Sequence, residues 1–131
     1  MVNKFINNAL LIDDDPCCIF ILGEFIHLVD SSIKRNSAYS VDEALCLLDK
    51  SIPFPEVIYV DLNMPIKSGF DFLKHYQANY HSLRPATKVF VLTSSLRLSD
   101  KEKTTSYSCV SGYKSKSEID QFIESTLLNE F

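Results

Sequence analysis

Asp13, Asp14 and Asp61 each follow closely on a short apolar run, Thr93 follows a further run, and Lys116 comes after a short, more polar segment that starts at Val110. If these side chains met, the three carboxylates would repel and raise one another's pKa unless a positive charge joined them. A hard divalent cation answers that need. Mg²⁺ takes oxygen ligands, keeps several waters, and is often held by one or two carboxylates plus a phosphate. A carboxylate beside such an ion can attack phosphorus and form an acyl phosphate. That transfer needs mainly alignment and neutralisation of the equatorial oxygens. Asp61 is the expected acceptor, with the Lys116 ammonium and the Thr93 hydroxyl supplying charge and a hydrogen bond.

The elements that must bring these groups together are legible as alternating patterns. Ala9–Ile12 is an apolar run that stops at Asp13-Asp14-Asp15, and Pro16 suits the first turn of a helix capped by Asp15. Ile19, Leu22, Phe25, Ile26 and Val29 follow with helical rhythm. Ile33–Ala38 reads as a weak strand, and Ser40-Val41-Asp42-Glu43 is a capping box opening a second helix. Val57–Val60 is the third strand, ending on Asp61 and a Pro- and Gly-containing loop. A third helix is marked by Phe70, Leu73 and Tyr76 or Gln77. Lys88–Leu92 is the fourth strand, a polar helix spans about Asp100–Ser106, and Val110–Tyr113 is the fifth strand. A last helix covers about Glu118–Leu128.

Near-continuous apolar strands alternating with helices predict an α/β, doubly wound, five-stranded parallel sheet with helices on both faces. In such sheets ligands bind beyond the carboxyl ends of the strands, where strand order switches. The five chemistry-bearing residues all fall at those ends, so residues distant along the chain are expected to share one pocket.

Composition narrows the function. The length suits one domain, 1–131, with no output domain. Thirteen basic and 17 acidic residues leave a formal charge of −4, which argues against direct grip on nucleic acid. No apolar run reaches the roughly 20 residues needed to cross a membrane, and the start does not read as a signal peptide. Cys17, Cys18, Cys46 and Cys109 lack metal-site spacing and are expected to be buried free thiols in a reducing cytoplasm. His27, His75 and His81 are dispersed and read as surface or packing residues.

Taken singly, each motif has a plainer reading: three aspartates before a proline also suit a helix cap and turn, and Tyr113 suits packing. Taken in order, Leu11-Ile12-Asp13-Asp14-Asp15-Pro16, Asp61-Leu62-Asn63-Met64-Pro65 with Gly69, Val91-Leu92-Thr93-Ser94 and Gly112-Tyr113-Lys114-Ser115-Lys116 resemble a receiver domain of the two-component response regulator family. The resemblance runs from Ala9 to the last helix. It implies a flavodoxin-like sheet of order 2-1-3-4-5 and Asp61 as phospho-acceptor. Mg²⁺ would be held by Asp14 directly, Asp13 through water, Asp61, and the Asn63 carbonyl.

Thr93 and Lys116 would contact the phosphoryl group, and Tyr113 would be the aromatic that moves with Thr93. Residues at Asn63 and Ser95 would tune phosphoryl lifetime. The donor would be a histidine kinase or phosphotransfer protein. The target would bind the face formed by the fourth helix, fifth strand and fifth helix, suggested by Leu96, Leu98 and Tyr113. One departure stands out: Ser117 replaces the family's proline after the lysine, a proline that usually follows a cis bond. Lys114 is therefore a competing candidate for the phosphate contact. A small haloacid dehalogenase-type phosphatase and a receiver used only as an unphosphorylated interaction module are the alternative functions.

Overall fold

The computed structural model describes residues 6–50, 53–95 and 97–128. Five strands, β1 (Asn8–Ile12), β2 (Lys34–Ala38), β3 (Val57–Val60), β4 (Lys88–Thr93) and β5 (Val110–Ser115), alternate with five helices. These are α1 (Pro16–Val29), α2 (Val41–Lys50), α3 (Gly69–Asn79), α4 (Leu98–Thr105) and α5 (Ile119–Leu127), the last preceded by a 3-10 turn at Lys116–Glu118. All strand pairs are parallel and the order is β2-β1-β3-β4-β5, as expected.

Strand alternation splits the core into two layers. Leu10, Ile12, Ile58, Val60, Val89 and Val91 pack with Ala44, Leu48, Phe72, Leu73 and Tyr76 of α2 and α3. Ala9, Leu11, Val57, Tyr59, Phe90 and Leu92 pack on the other face with Ile19, Leu22 and Ile26 of α1 and Phe122, Ile123 and Leu127 of α5. β1 and β3 are buried along their whole length because helices cover both faces. Edge strand β2 instead begins with exposed Lys34, Arg35 and Asn36, charge and polarity that discourage pairing with another chain.

Local capping follows the sequence closely. Asp15 caps α1, its carboxylate accepting from Cys17 N at 2.9 Å. Ser40 Oγ accepts from Glu43 N at 3.1 Å, but Glu43 reaches past Ser40 and accepts from Tyr39 N instead. The capping box therefore closes one residue early. β4 and β5 run one and two residues beyond their expected ends, to Thr93 and Ser115, because those two residues pair with each other. α4 starts at Leu98, two residues before Asp100, where the apolar rhythm is too weak to show a boundary.

The expectation of buried thiols needs correction. All four cysteines are free, but only Cys109 is buried; Cys17 and Cys46 are exposed and Cys18 is half-buried. Cys17 and Cys46 stand on solvent-facing sides of α1 and α2, where helix geometry outweighs the usual preference of cysteine for the interior.

Candidate functional site

The register of β1 and β3 brings two acids side by side. Ile12 pairs with Val60, and Asp61 N donates to the Ile12 carbonyl at 2.9 Å, so the next residues on each strand, Asp13 and Asp61, emerge together at the carboxyl edge. Strand order reverses between these two strands, which opens the crevice there. Asp13 and Asp61 are almost wholly buried and Asp14 is exposed at the rim. One carboxylate oxygen from each of the three lies within 4.8 Å of the others.

Gly69 sets the backbone around Asp61. Its N–H donates to the Leu62 carbonyl at 2.8 Å, and a Cβ at this position would clash with the Asp61 carbonyl and stand 2.7 Å from Leu62 Cα. Only a residue without a side chain permits that approach. Between Asp61 and Gly69 the chain makes a tight three-residue turn. Lys67 N donates to the Pro65 carbonyl at 2.8 Å, and the fully exposed Ile66 takes a φ of 69°.

Lys116, carried to the crevice by the end of β5, donates to Asp13 Oδ2 at 2.7 Å and stands 3.5 Å from Asp61 Oδ1. Asp61 Oδ1 is buried without a full hydrogen bond. Burial, and next the negative charge of Asp13, push the Asp61 carboxyl up to about 6. Lys116 and the Asn63 backbone N–H oppose that rise without cancelling it. Burial alone would lower the Lys116 ammonium, but the Asp13 bond and the charges of Asp61 and Asp13 outweigh it and hold its pKa above the ordinary lysine value.

Lys114 is not part of this cluster. It is exposed, 3.9 Å from Glu118. Lys114 lies within β5, whereas Lys116 lies just past its end and opens the 3-10 turn, where the chain leaves the strand direction. Where the resemblance leads one to expect proline, the Ser117 N–H donates to Ser115 Oγ at 3.3 Å, a bond proline has no hydrogen to make.

Thr93 is completely buried at the end of β4, in the row of Val89 and Val91. Its Oγ1 accepts from Ser95 N at 3.1 Å and from Asn63 Nδ2 at 3.4 Å. Ser95 Oγ bonds Asp100 Oδ2 at 2.5 Å, and Asp100 also pairs with Arg97 at 3.3 Å. Tyr113, half-buried on β5 opposite Val91, donates to the Ser95 carbonyl at 3.5 Å. Thr93, Ser95 and Tyr113 are thus joined through one loop. Of the three residues suggested for the contact face, Leu98 is exposed and Tyr113 half-buried, while Leu96 lies outside the described residues.

Two participants escaped the sequence reading. The sequence places Asp100 only in a polar helix, yet it holds Ser95 and Arg97. Cys18 reads from the sequence as a buried free thiol, yet its sulfur is 3.7 Å from Lys116 Nζ. A signal existed for Cys18, because it sits one helical turn after the acidic cluster, on the same end of α1.

Comparisons with known proteins agree with this geometry. The sequence model of the response regulator receiver domain matches residues 9–124. Hybrid signal transduction histidine kinase D of Dictyostelium discoideum is 30% identical over 103 residues, which is 72% of this chain and 6% of that protein. The chain therefore spans a small part of that relative's length. A two-component response regulator from Cytophaga hutchinsonii superposes with a TM-score of 0.79 at 26% identity, covering 95% of this chain and 98% of that one. The chemotaxis response regulator CheY4 of Vibrio cholerae shares the fold with a TM-score of 0.77 at 23% identity, over 96% of this chain and 99% of that one. The strand order, the acid cluster and the extent of the sequence match lead to one conclusion: the chain belongs to the response regulator receiver domain family.

Proposed function

We propose that this receiver accepts a phosphoryl group on Asp61 and uses it to shift its affinity for a protein partner. The observation that carries the reading is the buried Asp61 carboxylate beside Asp13 and Asp14, whose Oδ1 meets Lys116 at no less than 3.5 Å.

The donor set fits a hard divalent cation. It consists of oxygens only, it concentrates three acids, and one buried Asp61 oxygen lacks a full hydrogen bond. Asp13, Asp14, Asp61 and the Asn63 carbonyl would hold Mg²⁺, which when bound neutralises charge on the phosphoryl oxygens. The rest falls to the chain's own groups. An Asp61 oxygen forms the new bond to phosphorus as the P–N bond of a phosphohistidine, or the P–O bond of an acyl phosphate, breaks. The leaving group departs with the bonding electron pair. Lys116 offers its ammonium to one phosphoryl oxygen and Thr93 its hydroxyl to another.

Thr93 must then give up its present bonds from Ser95 N and Asn63. Because Tyr113 is held by the Ser95 carbonyl, the β4–α4 loop and Tyr113 repack as one unit, a two-state equilibrium biased by the new contacts. The face of α4, β5 and α5 is then the natural place for a target to sense the change. A histidine kinase or phosphotransfer protein is the donor. This receiver domain acts in the cytoplasm, where phosphorylation alters protein contact or feeds a phosphate relay.

The test is incubation with a small acyl-phosphate donor and Mg²⁺, read by intact mass and peptide mapping. A labile, Mg²⁺-dependent adduct on Asp61, absent from Asp61→Asn, is expected. An unmodified wild type, or an adduct that survives Asp61→Asn, would refute the reading. Turnover of phosphate esters that depends on Asp13 but not Asp61 would favour a phosphatase instead.

A further inference from the structure

Cys18 occupies the first turn of α1, half-buried against the acid cluster. Its Sγ is 3.7 Å from Lys116 Nζ on one side and 3.4 Å from Asp15 Oδ2 on the other. A lysine ammonium has three N–H bonds, and Lys116 has three partners: Asp13 Oδ2 at 2.7 Å, Asp61 Oδ1 at 3.5 Å and Cys18 Sγ. The same groups line a small cavity of about 20 Å³, large enough for one water and backed by Tyr59 and Leu92.

We infer that Cys18 is a positioning residue for Lys116, its sulfur accepting one ammonium hydrogen and keeping the cation aimed at the Asp61 carboxylate. This rests on the phospho-acceptor reading of Asp61. Two of the three partners must change during transfer. Asp13 has to share its oxygens with a cation, and Asp61 becomes an acyl phosphate, its carboxylate charge replaced by that of the phosphoryl oxygens. Cys18 is the partner that need not move. The thiol hydrogen points to Asp15, which leaves sulfur lone pairs for Lys116 and makes the arrangement directional. Burial favours the protonated thiol, against the pull of Lys116. Asp15 also caps α1, so the lysine is tied through Cys18 to the start of that helix.

Two substitutions separate positioning from packing. Cys18→Val fills similar space without a polar atom, and Cys18→Ser restores a donor and acceptor. With a small acyl-phosphate donor and saturating Mg²⁺, Cys18→Val should lower the maximal labelling rate roughly fivefold, about the worth of one ordinary hydrogen bond. The half-saturating donor concentration should stay near the wild-type value, and Cys18→Ser should recover most of the rate. Melting temperatures are measured alongside. Wild-type labelling in Cys18→Val, or equal loss in both variants following their melting temperatures, would overturn the inference.

A second readout does not depend on phosphorylation. In ¹H–¹⁵N spectra of the unmodified protein, the Lys116 ammonium signal should shift or broaden in Cys18→Val and persist in Cys18→Ser. An unchanged signal in Cys18→Val would also overturn it. A wild type that takes no label while this signal responds as expected would refute the role of Asp61 and leave the positioning of Lys116 standing.

Discussion

Lys116 binds Asp13 more closely than Asp61, 2.7 Å against 3.5 Å, although the family resemblance leads one to expect it to serve the acceptor. The cation is therefore parked on the acid that would share a metal. A divalent ion binding to Asp13 would compete for the same oxygens, and metal loading would then be coupled to release of Lys116 toward Asp61.

Asp61 makes stability fall as pH rises. Its carboxyl titrates at about 6 in the folded chain against 3.8 ordinarily. The folded form holds the proton more tightly, so stability is full below the lower value and is lost as pH rises through the higher one. Asp61→Asn, which mimics the neutral acid, should be more stable than wild type by about 1–3 kcal/mol near pH 8 without divalent ions. The gap should narrow as pH falls through 3.8 and close well below it, where both folded and unfolded Asp61 are neutral. Urea unfolding at the two pH values checks this. Added Mg²⁺ should raise the wild type alone.

Lys116→Met should separate the two lysines near the end of β5. Losing the ammonium leaves Asp13 and Asp61 facing each other and should cost about 1–3 kcal/mol at neutral pH, with much slower labelling of Asp61. Lys114→Met removes an exposed pair with Glu118 at 3.9 Å. It should change stability by less than about 0.5 kcal/mol. Parallel chemical denaturation and labelling of both variants would show whether the roles are reversed.

Tyr59→Phe tests how α5 is fastened to the sheet. The Tyr59 hydroxyl and Thr126 Oγ1 are 2.6 Å apart in the buried layer beneath α5, and Thr126 already donates to the Ile123 carbonyl. Tyr59 is then the donor, and its removal leaves a buried oxygen short of a partner. A loss of about 1–2 kcal/mol is expected, with Asp61 labelling close to wild type. Calorimetry gives the first value and mass spectrometry the second.

Gly69→Ala should damage both stability and phosphorylation. The added methyl meets backbone atoms of Asp61 and Leu62, which cannot swing aside as a flexible side chain would. A cost of about 1–3 kcal/mol is expected for such overpacking. Because the displaced backbone carries Asp61, labelling should slow even at temperatures where the variant remains folded. Unfolding curves combined with labelling of the folded fraction distinguish the two effects.

Much of this was readable in advance. The aspartates after β1 and β3 were found because each ends a nearly unbroken apolar run, and such runs become interior parallel strands. The cap at Asp15 was legible because Pro16 follows it. Boundaries at α4 and the end of β5 were less clear. α4 buries only Thr104, and the outer residues of β5 are half-exposed, so hydrophobic rhythm carries little information there. The exposure of Cys17 and Cys46 was misjudged because a residue type's average preference says nothing about the face of the helix on which it falls.

By itself the sequence determined the α/β class, the order of the elements and which polar residues stand at strand ends, since these depend on local periodicity and capping. The three-dimensional arrangement was needed to show that Lys116 rests on Asp13, that Lys114 stands outside the cluster, and that Cys18 and Asp100 join the network. Those outcomes turn on register across parallel strands and on side-chain direction. A shift of one residue in a strand reverses the face, and no local pattern in the chain encodes the distance between partners that far apart.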